Sequence, residues 1–213
     1  MNVRVKVCGI RRAADALLAA DLGASAIGLI FWPGSSRVVD VETARAIIAA
    51  LPPFVTAVGV FVNQPREEVL RVAESVGLGA VQLHGDEDPA WYAAFPRRVI
   101  KAVPVGDRFD HAGLARVPPN ATVLLDAHDP VRRGGTGRVI DWTAAAAAAR
   151  TRPVILSGGL TAANVGAAVE SVHPYAVDVA SGVESAPGIK DATKLRAFFS
   201  ALTTLAPRLT TND

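Results

Sequence analysis

Two residues of this sequence have the chemistry for a pair of proton transfers. Cys8 is the only cysteine, and it lies at the end of a short alternating run that opens directly into a helix. Asp126 ends the apolar run 123–125, where an unpaired carboxylate would be costly to bury. A thiol and a carboxyl that face one ligand can act as general base and general acid. A lone cysteine is more often a small buried hydrophobic residue, so Asp126 is the stronger signal of the two.

Three further side chains are candidates for binding a ligand. Gln82 and His84 lie on one face of a predicted strand and could line a site, although a hydrogen-bonded structural histidine fits the pattern equally well. Arg37 follows a loop of proline, glycine and serine residues and could hold a carboxylate with two parallel hydrogen bonds. The alternative for Arg37 is a solvated surface arginine.

Two glycine-rich turns could bind a phosphate. Gly158 and Gly159 follow the seventh predicted strand, and Ser181 and Gly182 follow the eighth. Each turn leads toward a helix, so several backbone N–H groups are available to a phosphate dianion. One such turn alone would be explained as a tight connection between elements. Two of them after the last two strands favour a phosphate site.

The elements that carry these residues alternate along the whole chain. Apolar residues alternate in eight predicted strands and recur every three or four residues in the stretches between them. The strands are predicted at 3–9, 26–31, 56–62, 80–84, 99–103, 121–126, 153–156 and 175–180, with Asn63 as N-cap of the third helix. Such alternation indicates parallel βαβ units, either in an open doubly wound sheet or in a closed barrel. The count of eight favours an α/β protein with a single-domain (β/α)8 TIM barrel.

Length and charge limit the other possibilities. The barrel is predicted over 1–206 with a frayed tail at 207–213, and 213 residues are few for this fold, so its loops should be short. A net charge of +2 with scattered basic residues predicts neither a nucleic acid nor a membrane as partner. The cysteine and histidines lack the spacing of metal ligands, and no dinucleotide fingerprint is present. We expect a cytoplasmic protein without metal or obligatory protein partner.

One ion pair is predicted from the order of the strands. Lys6 shares the face of Cys8 and lies one pleat deeper, where an unpaired ammonium would be costly. The eighth strand borders the first in a closed barrel, which makes Asp178 the nearest candidate partner. The sequence therefore predicts a Lys6–Asp178 pair inside the barrel.

Short motifs from one end of the chain to the other resemble those of a known family. They are VKVCGI, GLIF, SSR, FVN, VQLHG, LLD, GGTG, LSGGL, VDVASGVE and PGIKD, which together cover residues 5–191. In this order they resemble the phosphoribosylanthranilate isomerases of tryptophan biosynthesis. Two departures are Ser36, where a proline is common, and Ser157, where an alanine is usual.

The resemblance implies a fold, a reaction and residue roles. It implies a (β/α)8 barrel that carries out an Amadori rearrangement of N-(5-phosphoribosyl)anthranilate to the 1-deoxyribulose phosphate product without a cofactor. Cys8 would be the general base, Asp126 the general acid and Arg37 the group that binds the anthranilate carboxylate. For this chemistry we expect surroundings that favour the Cys8 thiolate.

Two other functions remain open at this point. Another phosphosugar enzyme, such as a ribulose-phosphate epimerase or an indole-glycerol-phosphate synthase, would share the phosphate turns but should lack the pair of Cys8 and Asp126. A barrel that binds a phosphometabolite without catalysis would keep the glycine turns and would need neither residue.

Overall fold

The strands form a closed parallel barrel. The structure is a computed structural model that describes residues 3–105, 111–127 and 139–204. Each strand pairs with the next and β8 pairs with β1, which confirms the predicted barrel. The barrel strands are β1 Arg4–Cys8, β2 Ala26–Ile30, β3 Thr56–Phe61, β4 Ala80–Leu83, β5 Arg98–Val105, β6 Thr122–Ala127, β7 Val154–Leu156 and β8 Ala176–Val179.

A helix follows each of the eight barrel strands along the chain. The helices are α1 Ala13–Asp21, α2 Val41–Ala50, α3 Arg66–Val76, α4 Pro89–Ala93, α5 His111–Arg116, α6 Trp142–Ala149, α7 Val165–Val172 and α8 Ala192–Thr203. The side chains of Asp40, Asp141 and Asp191 accept backbone N–H groups at the starts of α2, α6 and α8. Within the described residues, no helix has the length and apolar character that a membrane crossing requires.

The prediction that Asn63 caps α3 is wrong. Pro65 occupies the N-cap position, and its side chain accepts no capping hydrogen bond there. Asn63 lies in the left-handed region with φ 56°, which asparagine tolerates better than most residues. Its side-chain oxygen accepts the N–H of Asp86 at 2.6 Å. Asn63 therefore joins the loops after β3 and β4 instead of starting a helix.

A small antiparallel hairpin follows β8, where the sequence predicts only a loop. A 3₁₀ turn at Ser181–Val183 leads into β9 Glu184–Ala186, which pairs with β10 Ile189–Lys190. Strands this short carry no periodic pattern, so alternation could not identify them. The GGTG motif of the family pattern and the predicted tail at 207–213 lie outside the described residues.

Apolar side chains fill the lower half of the barrel, and polar ones occupy the layer above. One cluster inside the barrel consists of Val58, Ala80, Ile100, Ala102, Leu124, Ile155 and Ala176. A much larger cluster packs the outer faces of the strands against the helices. The inner cluster closes the bottom of the barrel, so groups on the next layer are cut off from water on that side.

Lys6 and Asp178 form the predicted ion pair in this upper layer. Lys6 Nζ lies 2.8 Å from Asp178 Oδ1, and the two residues are only 3% and 5% exposed. Burial disfavours the ammonium, but attraction to Asp178 and the nearby Cys8 outweighs it and holds the pKa of Lys6 above its ordinary value. The hydroxyl of Ser157, one of the two departures from the family pattern, lies 3.4 Å from the other Asp178 oxygen.

Removing one member of this pair should strongly destabilise the barrel. Lys6→Met leaves Asp178 buried without its cation, and we expect a loss of about 3–5 kcal/mol in the free energy of unfolding. Urea titration followed by circular dichroism measures this loss. The double variant Lys6→Met/Asp178→Leu should recover much of it, because no charge is then left unpaired. A loss below about 1 kcal/mol for Lys6→Met would contradict this account.

Candidate active site

A cavity at the carboxyl ends of the strands brings together every residue that the sequence analysis named as a candidate for catalysis or ligand binding. Its lining includes Cys8, Arg37, Gln82, His84, Asp126, Gly158, Gly159, Ser181 and Gly182. These residues come from loops and strands spread over most of the chain. Their meeting follows from the parallel barrel, because the carboxyl ends of all eight strands lie at the same rim.

Cys8 ends β1 and faces the interior above Lys6. It is buried, and the neighbouring strand makes room for it at Gly28, where a Cβ would lie 2.6 Å from the Cys8 sulfur. Burial raises the pKa of the Cys8 thiol, and nearby Asp178 adds to this, while Lys6 and Lys190 act in the opposite direction. The expectation of surroundings that favour the thiolate is therefore wrong, since the two ammonium groups do not outweigh burial.

Asp126 lines the same cavity and belongs to a short chain of polar contacts. Its Oδ1 accepts the N–H of Ala127 at 2.9 Å, and its Oδ2 lies 3.3 Å from His84 Nε2. His84 Nδ1 is 3.1 Å from Gln82 Nε2. With the amide donating to Nδ1, the proton of a neutral His84 is on Nε2 and points at Asp126. His84 is therefore both hydrogen-bonded and part of the cavity lining, so the two alternatives for it do not exclude each other.

Arg37 is held at the rim by a carboxylate of its own chain. Its Nε and Nη2 donate to Glu184 at 2.8–3.1 Å, and its side chain is only 13% exposed. Its stem crosses Gly9 so closely that a Cβ there would lie 2.7 Å from Arg37 Cδ. The hydrogen bonds to Glu184 raise the pKa of Arg37, in spite of its partial burial. Arg37 is thus not the solvated surface arginine of the alternative interpretation.

Two charged residues of the hairpin complete this side of the site, and sequence reasoning missed both. Lys190 Nζ donates to Glu184 Oε1 at 2.9 Å and to the backbone oxygens of Cys8 at 2.6 Å and Ala180 at 3.1 Å. The Lys190 side chain is 0% exposed and that of Glu184 is 4% exposed. The sequence offers one indication of this buried cation, which is that Lys190 follows the apolar Ile189 in the PGIKD motif.

The two glycine turns meet at the lining of the cavity. Gly158 and Gly159 have φ angles of 89° and 63°, which few other residues adopt. Gly182 approaches the carbonyl of Leu160 so closely that a side chain would collide with it. Within the described residues, the backbone N–H groups of Gly158, Gly159, Ser181 and Gly182 donate no hydrogen bond. The turns therefore present free donors toward one region of the cavity.

Metal ligands are not grouped in the described part of the chain. No cluster of three or more histidine, cysteine, aspartate or glutamate residues there is arranged to hold a metal ion.

Comparison with known proteins identifies the family of this barrel. The family model of N-(5′-phosphoribosyl)anthranilate isomerase matches residues 5–201. The enzyme of that name from Geobacter metallireducens is 53% identical over 198 residues, which cover 92% of this chain and 96% of the relative. The one from Pelobacter propionicus is 49% identical over 196 residues, which cover 92% and 93%.

Solved structures agree with the sequence relatives. The crystal structure of the phosphoribosyl anthranilate isomerase from Thermus thermophilus matches with a TM-score of 0.87 and 47% identity, covering 95% of this chain and 100% of that one. A second isomerase structure is a complex with reduced 1-(o-carboxyphenylamino)-1-deoxyribulose 5-phosphate. It matches with a TM-score of 0.84 and 41% identity over 95% and 100% of the two chains. The chain therefore belongs to the N-(5′-phosphoribosyl)anthranilate isomerase family.

Proposed function

We propose that this barrel converts N-(5-phosphoribosyl)anthranilate into 1-(2-carboxyphenylamino)-1-deoxyribulose 5-phosphate, with Asp126 as general acid and Cys8 as general base. The observation that carries these roles is that the thiol and the carboxyl line one cavity together with the phosphate turns and Arg37. Membership of the isomerase family favours this reaction over the other phosphosugar chemistries and over a binding barrel without catalysis.

The proposed chemistry requires one acid and one base. Asp126 protonates the ring oxygen of the sugar, the bond from C1 to that oxygen breaks, and the nitrogen lone pair forms an iminium at C1. Cys8 as thiolate then removes the proton from C2, which gives an enolamine. Tautomerisation moves the proton of the C2 hydroxyl to C1 and leaves the ketone. His84 keeps Asp126 oriented toward the cavity through the contact at Oδ2.

The phosphate is assigned to the glycine turns. Four backbone N–H groups without partners in the described structure point to a dianion there, and such main-chain donors need no cationic side chain. This places the phosphate at one end of the cavity and Cys8 and Asp126 beside the reacting carbons.

Arg37 is assigned to the carboxylate of the anthranilate ring. The apolar side chains of Ile30, Trp32 and Val60 also line the cavity and supply surface for an aromatic ring. The guanidinium at the rim can then donate to the carboxylate next to that ring. The wider setting remains part of the proposal: a single barrel domain over 1–206, in the cytoplasm, acting on a small molecule without an obligatory protein partner.

The activity is tested by the fluorescence of the anthranilate group. Incubation of the purified chain with freshly prepared N-(5-phosphoribosyl)anthranilate should lead to a steady loss of that fluorescence as the substrate rearranges. No loss above the spontaneous rate would overturn the proposed function.

The two proton-transfer residues should control turnover more than binding. We expect Cys8→Ser and Asp126→Asn each to lower kcat by about 10²–10⁴-fold with little change in KM, because each residue serves one proton transfer. Asp40→Asn is a matched control, since it makes the same carboxylate-to-amide change at an exposed helix cap and should keep the parental rate. Near-parental turnover by Cys8→Ser at neutral pH would remove Cys8 from the mechanism.

Alkylation should reveal the unfavourable position of the Cys8 thiolate. Because burial raises the pKa of Cys8, its reaction with iodoacetamide should reach half of its maximal rate at a higher pH than that of N-acetylcysteine methylamide, a cysteine without free termini, measured in parallel. The labelled enzyme should be inactive, and bound product analogue should slow the labelling. Lys6→Met removes a nearby cation and should shift the profile further toward alkaline pH. A midpoint at or below that of the free thiol would contradict this reasoning.

Arg37 should matter only for ligands that carry the carboxylate. A charge-assisted hydrogen bond contributes about 1.5–3 kcal/mol, so Arg37→Ala should raise KM by about 10–150-fold. Binding of an analogue without the carboxylate should be nearly unchanged. Arg45→Ala serves as control, because Arg45 bonds the backbone of Ser75 on the outside of the barrel. Normal KM in the Arg37 variant would overturn the assignment.

A further inference from the structure

We propose that the hairpin residues Glu184 and Lys190 set the selectivity for a carboxylate-bearing substrate, with Glu184 as the positioning residue of Arg37 and Lys190 as the cation that offsets the charge of Glu184. This inference rests on the role proposed for Arg37. Within the described residues, neither side chain is hydrogen-bonded to the Cys8 thiol or to the Asp126 carboxyl, and Lys190 contacts Cys8 only at its backbone oxygen.

The first step is the orientation of the guanidinium. The Glu184 carboxylate accepts hydrogen bonds from Nε and Nη2 of Arg37, which form one edge of the planar guanidinium. Within the described residues, Nη1 makes no hydrogen bond, while Arg37 still lines the cavity. An arginine fixed along one edge presents the other edge in a defined direction, so little conformational freedom is left to be lost when a ligand binds.

The second step is the charge. Arg37 and Glu184 alone would form a neutral pair, and the Glu184 carboxylate would repel a second carboxylate placed nearby. Lys190 lies 2.9 Å from the same Glu184. Burial lowers the pKa of Lys190, whereas attraction to Glu184 and the hydrogen bond to it act in the opposite direction. With Lys190 in its protonated form, the three groups together carry +1. The excess charge is what remains to attract the substrate.

The third step is the rigidity of the support. Lys190 also bonds the backbone oxygens of Cys8 and Ala180, and Gly188 N–H donates to Glu184 Oε1 at 3.2 Å. Lys194 Nζ donates to the backbone oxygen of Glu184 at 2.7 Å. The arginine-binding carboxylate is thus fixed to the ends of β1 and β8 and to α8, and not to a free loop.

The fourth step concerns the protonation states that this arrangement needs. Burial opposes the charge of Glu184, but hydrogen bonds and attraction from Arg37 and Lys190 outweigh it and lower the pKa of Glu184. The carboxylate is therefore ionised at neutral pH. Lowering the pH far enough to protonate it would release Arg37.

The test compares two inhibitors that differ only in the carboxylate. They are 1-(2-carboxyphenylamino)-1-deoxyribitol 5-phosphate and its phenylamino counterpart without the carboxylate, and inhibition constants are measured for each with the parent, Glu184→Gln and Lys190→Met. We expect both variants to bind the carboxylate inhibitor about tenfold or more weakly, with a much smaller change for the other inhibitor. KM should rise more than kcat falls.

A matched control separates positioning from general damage. Glu87 is also a buried glutamate paired with a lysine, Lys101, at 2.9 Å, and it does not line the cavity. Glu87→Gln breaks a buried ion pair and should lower stability, but it should leave the ratio of the two inhibition constants at the parental value. Equal weakening of both inhibitors by Glu184→Gln would show a merely structural role and overturn the inference.

A double variant tests whether Glu184 acts through Arg37. In the Arg37→Ala background, Glu184→Gln should produce no further loss of carboxylate preference, because the group that it positions is gone. An additional loss of the same size would contradict the inference. If Arg37→Ala itself leaves the carboxylate preference unchanged, the proposed role of Arg37 is overturned. If Arg37→Ala lowers the preference but Glu184→Gln and Lys190→Met do not, only the inference about the hairpin is overturned.

Discussion

The need to pair every charge inside a closed barrel governs the arrangement of this site. The inner apolar cluster seals the bottom of the barrel, so an ion on the layer above gains little from water. Lys6 and Asp178 meet this constraint directly at 2.8 Å. Their pairing places an ammonium and a carboxylate immediately below Cys8, and both affect how readily its thiol ionises.

The same constraint extends to the rim, where charges are shared among several groups. Glu184 lies between Arg37 and Lys190, and Lys190 in turn binds the backbone oxygen of Cys8. Because Glu184 holds its guanidinium, Arg37 keeps one orientation at the partly buried rim. A single arginine on a flexible loop would not be oriented in this way. The position of Arg37 is therefore coupled to the end of the strand that carries the thiol.

The sequence predicted those features that depend on long regular patterns. Eight alternating runs identified the strands, and closure of the barrel made Asp178 the expected partner of Lys6, which the register Lys6 to Asp178 confirms. Asp126 was recognisable because a carboxylate after three apolar residues needs an explanation.

Features that depend on a few residues in contact were not predictable in the same way. The hairpin strands contain three and two residues, too few for alternation to appear. Glu184 and Lys190 form a buried pair only because the chain reverses at Gly188, and no spacing rule indicates that. Asn63 was assigned to a helix start by residue type, whereas its left-handed backbone and its bond to Asp86 decide its role. The raised pKa of Cys8 is due mainly to burial. The extent of burial cannot be predicted from the residue types at the end of one strand.

Close approach of the backbone to neighbouring atoms is the remaining requirement of the site, and glycine meets it at three places. Gly9 lets the stem of Arg37 cross the end of β1, Gly28 leaves space for the Cys8 sulfur, and Gly182 lets the eighth loop touch the seventh at Leu160. In each case an added methyl group would strike an atom of the site. These glycines therefore allow Arg37, the Cys8 sulfur and the turn after β8 to lie close to their neighbours. A side chain at any of the three positions would displace one of these groups from the cavity that they line together.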